Sequence, residues 1–149
     1  MICVNAAGEH VPPMWIAQGG GPITDQQTRL LTADCIPGTG VVNTRSGWID
    51  NPTWSVWLQF FISNLAERKP TKERPLLLIL DSHESRFAWQ SIQYAMDNHI
   101  IIYALLPNST SICQPLDVSF FGPFKVRELL YVDSIRSLML LYGVCVLML

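Results

Sequence analysis

Apolar positions in this chain fall into dense blocks and helix-spaced sets, divided by clusters of Gly, Pro and Asn. Ile2, Cys3 and Val4 form a short apolar run stopped by Asn5-Ala-Ala-Gly8, a pattern that predicts a strand and a turn. Residues 11–17 resume as a second strand, held at an edge by Pro12 and Pro13, and the pair is expected to form a hairpin. Residues 18–50 are the least regular part. Gly19, Gly20 and Gly21 loosen it, Pro37-Gly38 and Ser46-Gly47 mark turns, and residues 30–35 are too brief to assign. From Asn51 the pattern changes. Pro52 follows an Asn cap, and Trp54, Trp57, Leu58, Phe61, Ile62 and Leu65 recur at three- and four-residue intervals, predicting a helix with an aromatic buried face.

A charged linker with Pro70 leads to five apolar residues, Leu76 to Leu80, ended by Asp81. So dense a run predicts a strand buried on both faces. Residues 84–98 read as a helix with Phe87, Ile92, Ala95 and Met96 inward, and residues 100–106 as another buried strand closed by Pro107-Asn108. Strand, helix and strand within this length predict a right-handed parallel crossover. A further helix is expected over residues 116–131, delayed or kinked by Gly122 and Pro123. The class is α/β with a mixed sheet, a hairpin first and parallel strands after it.

Composition changes this picture little. Hydrophobic residues make up 49% of 149 and charged ones 15%. That suits a deeply buried sheet, or a fragment whose apolar surfaces want partners. The net charge of -2 lacks the basic footprint of a compact DNA-binding domain, yet carboxylate-rich catalytic domains are also acidic. Charge decides neither way. Cys3, Cys35, Cys113 and Cys145 have no CxxC spacing, so a zinc knuckle or thioredoxin motif has no support and buried free thiols are expected. Residues 138–149 carry no charge but are too few for a membrane span, and a membrane partner is not expected.

Candidate chemistry gathers at two carboxylates. Asp81 ends a buried strand, the position where open α/β sheets place ligand-binding groups, and His83 follows two residues later. Such a pair suits a hard divalent cation, and it suits equally a cap for the following helix, with Ser82 and Glu84 beside it. Asp117, in Gln114-Pro-Leu-Asp117, offers a second hard ligand or a helix-start carboxylate. Together Asp81 and Asp117 would bind Mg²⁺ or Mn²⁺ in the manner of phosphoryl-transfer sites.

The stretches Leu77-Leu-Ile-Leu-Asp-Ser-His83, Ile101-Ile-Tyr-Ala-Leu-Leu-Pro-Asn-Ser-Thr110 and Gln114-Pro-Leu-Asp-Val-Ser-Phe-Phe-Gly-Pro-Phe-Lys125 resemble the DDE superfamily endonuclease domain. The likeness is to the pogo, Tigger and jerky transposases and centromere protein B. Asn5-Ala-Ala-Gly-Glu9 and Ser46-Gly-Trp48 also fit, so the resemblance runs over residues 2–125. It implies an RNase H-like mixed sheet flanked by helices, and three acidic residues holding two divalent ions that drive in-line attack on a phosphodiester. Asp81 matches the second acidic position, Asp117 the third, and His83 an auxiliary histidine.

The family's first acidic residue lies on the first, central strand, upstream of Ile2. Its absence predicts weak Mg²⁺ or Mn²⁺ binding, no DNA cleavage, and unpaired edges on the strands that would flank it. The organisation expected is a partial domain over residues 1–130 and an apolar tail foreign to the family over 131–149. Nuclear localisation and DNA as partner follow from the resemblance alone. No small-molecule substrate is expected. Two alternatives remain: a domesticated protein-interaction module joined to a partner or a second copy through open sheet edges, and a metal-dependent phosphoesterase built on Asp81 and His83.

Overall fold

A computed structural model describes residues 1–5, 9–65 and 69–106, and the backbone of 146–148. The fold is mixed α/β. Strands β1 (Ile2–Val4) and β2 (His10–Val11) pair antiparallel with Cys3 opposite Val11, as the hairpin pattern predicts. Asn5 closes the turn, its backbone N–H donating to the Glu9 carbonyl at 2.8 Å. The predicted second strand does not continue, because the prolines at 12 and 13 lack the N–H a ladder requires. It breaks, and β3 (Met14–Gln18) pairs in parallel with β4 (Gly40–Thr44) in a separate sheet.

The supposedly irregular segment 18–50 therefore holds β4, and also α1 (Asp25–Thr32), which has no buried residue. Gly47 follows at φ 76°, a left-handed conformation in which an added Cβ would press on Gln18. Helix α2 (Asn51–Ser63) forms as its periodicity predicts, with one correction: Asp50, not Asn51, is the cap, accepting from the Thr53 N–H at 2.9 Å. Trp54, Trp57 and Phe61 stack in a column along it, with successive ring centroids 5.1 Å apart. All three are buried against Cys3, Met14, Ile16, Leu78, Leu80 and Ile100 in the core.

Strand β5 (Leu76–Leu80) pairs in parallel with β6 (Ile100–Ala104), from Leu76 opposite Ile100 to Leu80 opposite Ala104. Burial on both faces is not observed. Leu78 and Leu80 point into the core, while Leu77, Ile101 and Tyr103 are 47%, 53% and 55% exposed. Side chains alternate along a strand, and the aromatic helix covers one face of this sheet. The helix expected over 84–98 is also divided, into a 3-10 turn (Glu84–Arg86) and α3 (Trp89–Asp97). Its inner side is Ser91 and Ala95, with Ile92 half-buried; Phe87 and Met96 are exposed. Small residues at that face let α3 approach α2, and the hydroxyls of Ser55 and Ser91 meet at 2.8 Å.

Among the described residues the larger sheet has the order β2-β1-β7-β5-β6. Here β7 (Val146–Met148) runs parallel to β1, Ile2 opposite Val146, and antiparallel to β5, where Ile79 faces Met148. The gap expected between the hairpin and the strand of Asp81 is thus filled by a segment of the tail, which corrects the expectation of open edges there.

Candidate functional site

Strand β5 delivers Asp81 to the end of the sheet, and the next five residues fold back over it. The Asp81 Oδ1 accepts from the His83 backbone N–H at 3.2 Å, a local turn that redirects the chain. His83 then caps the 3-10 turn, its Nδ1 accepting from the Ser85 N–H at 3.3 Å and lying 2.9 Å from the Ser85 hydroxyl. Capping therefore falls to His83 and not to Asp81.

The tight turn brings Arg86 back onto the strand end. Its Nε donates to Asp81 Oδ1 at 3.0 Å and its Nη2 to Oδ2 at 3.3 Å, a two-point contact between fork and carboxylate. Arg86 is wholly buried, and its guanidinium lies 5.0 Å from the centroid of the Trp54 ring. One wall of the site is thus the first turn of α2. Asp81 itself is 28% exposed, so the pair sits at the rim of the core with one partner facing outward.

This arrangement joins the His83 backbone, not its imidazole, to Asp81, and adds Arg86, which sequence reasoning missed. Asp117 lies outside the described residues. Among the described residues no group of three or more His, Cys, Asp or Glu is placed to hold a metal ion. The donors that are described fit a divalent cation poorly: both Asp81 oxygens meet a guanidinium, and the His83 Nδ1 meets Ser85. A cleft of about 210 Å³, lined in part by Asn5, His10, Asn64 and Leu77, opens toward the other end of β5, away from Asp81.

Comparison with known proteins gives two matches. The sequence model of the family described as DDE superfamily endonuclease matches residues 1–134. A protein of Cochliobolus lunatus named "MFS-type transporter clz9" is 28% identical over 122 residues, which cover 82% of this chain and 13% of that protein. The chain thus spans a small part of that relative's length. No solved structure matches.

Proposed function

The chain belongs to the DDE superfamily endonuclease family, and from that membership we propose that it is a transposase-derived, RNase H-like domain that engages DNA without cutting it. The observation that carries this is the position of Asp81, a partly exposed carboxylate at the C-terminal end of β5, where ligands of such sheets collect. Within the family pattern Asp81 and Asp117 stand as the second and third acidic residues, with His83 as their auxiliary. Both Asp81 oxygens accept from the Arg86 guanidinium, which competes with a catalytic metal ion for them. The family works with divalent metals, but no catalytic step is assigned to one here, since the described donors fit it poorly.

Contact with DNA rests on phosphate neutralisation in this reading, and takes place in the nucleus. The relative named as a transporter shares with this chain a segment amounting to 13% of its length. No helix among the described residues is long and apolar enough to cross a membrane.

Fluorescence anisotropy with a labelled duplex tests the proposal, alongside a plasmid-nicking assay in Mg²⁺ and in Mn²⁺. Weak binding is expected, with Kd on the order of 10⁻⁴–10⁻⁶ M and a steep loss as salt rises. No nicking is expected. Duplex affinity absent at low salt overturns the DNA reading, and metal-dependent nicking lost in Asp81→Ala overturns the inactivity.

A second reading, association with another copy of the chain, is favoured by an exposed apolar strip on β5 and β6. Leu77 and Ile101 are cross-strand neighbours there, with Tyr103 two positions on, and all three are exposed. Sedimentation of wild type against Ile101→Glu tests it. A monomer at all concentrations in both removes it.

A further inference from the structure

Arg86 and Asp81 together make an arrangement that a metal-binding carboxylate does not need. A guanidinium is charged at every accessible pH and presents a rigid fork matched to a carboxylate. Here the fork faces both oxygens of Asp81, at 3.0 and 3.3 Å. Full burial and the face of Trp54 at 5.0 Å help hold it in place. A hard cation would take the same oxygens at about 2.0–2.2 Å. It would then stand beside a positive charge that has nowhere solvated to go, since Arg86 is packed beneath the strand end and not on a mobile surface stem.

We propose that Arg86 is a built-in counter-cation for Asp81, occupying the carboxylate that the family gives to metal and setting the metal affinity of this site. The inference rests on the placing of Asp81 in the family's acidic set argued above, and deepens it. Arg86 is a positioning residue in this account. It touches no substrate, and acts by engaging Asp81. The reverse dependence follows too: Asp81 is a counter-charge that helps a wholly buried guanidinium stay in the fold. In an ordinary metal site, neutralising a ligand carboxylate relieves repulsion in the metal-free protein. Here it should weaken the hold on a buried cation.

Mn²⁺ titration by calorimetry of wild type, Arg86→Gln and the double variant Arg86→Gln/Asp81→Asn tests the first half, with circular dichroism to verify folding. Arg86→Gln is expected to bind Mn²⁺ at least about tenfold more tightly than wild type, and the double variant to lose the gain. Wild type binding as tightly as a folded Arg86→Gln overturns the proposal, and so does a folded Arg86→Gln that gains nothing. If Arg86→Gln does not fold, thermal melting of Asp81→Asn in chelator decides. A fall in Tm is expected, and an unchanged or raised Tm overturns the proposal. Duplex binding is measured separately on wild type, so failure of the DNA reading and failure of the counter-cation are told apart.

Discussion

Cys3 lies on β1 within the core, 2% exposed, and burial pushes its thiol up to about 12 from an ordinary 9.0. In the unfolded chain this thiol ionises as pH passes 9.0, while in the folded chain it stays protonated until about 12. The stability involved is whole below the first value and is lost progressively as pH climbs toward the second. Urea unfolding at about pH 8 and about pH 10 should show a total decline of ~1.4 kcal/mol from this group. Cys3→Ala should flatten the slope by that amount, and equal slopes in the two proteins would discount the buried thiol. At the same scale, Asp81 was legible on sequence because it ends an apolar run. Arg86 was not. Reading residues 84–98 as one helix puts Arg86 in a first turn open to solvent, and only the 3-10 geometry folds it back over Asp81. The available signal, an Asp followed five residues later by an Arg, says nothing of the Trp54 ring that seats it.

The helices divide into one that carries the core and one that does not. Asp50 caps α2, whose Trp54, Trp57, Leu58 and Phe61 are buried, so loss of that cap should reach the whole fold. Asp50→Ala is expected to lower the unfolding free energy by ~1 kcal/mol in chemical denaturation. Trp57→Ala, which empties the middle of the stacked column, should cost about 3–5 kcal/mol. Thr24 caps α1 with a reciprocal box, its side chain accepting from the Gln27 N–H at 3.3 Å while the Gln27 side chain accepts from the Thr24 N–H at 3.0 Å. Because α1 buries nothing, Thr24→Ala should speed amide exchange within that helix and leave the denaturation midpoint unmoved. A midpoint shift as large as that of Asp50→Ala would show that α1 supports the core after all. The same contrast explains what the sequence revealed. Aromatic residues at helical spacing announce α2, whereas α1 has only its Thr24-Asp-Gln-Gln27 cap to mark it among glycines. Strand β4 has two valines, and the partner that makes it a strand lies more than twenty residues earlier, at Met14–Gln18.

In the molecule as a whole, the parallel pair β5 and β6 and the antiparallel start were legible because their apolar runs are dense and their turns explicit. The closure of the sheet was not, since pairing between Ile2 and Val146 leaves no local trace, and an uncharged run serves helix or strand alike. Deleting residues 146–149 should raise amide exchange at Ile2–Val4 and around Ile79, and leave the β3–β4 ladder protected. Unchanged protection at Ile2–Val4 would mean that β7 adds nothing to the sheet. The place of β7 also bears on biosynthesis. Both β1 and β5 are synthesised before the strand that joins the two halves of the sheet is available. Until then the nascent chain presents two exposed strand edges, the kind of surface on which chaperones act and from which aggregates grow. Slow closure, through a strand far from β1 in sequence, is the kinetic signature this topology imposes.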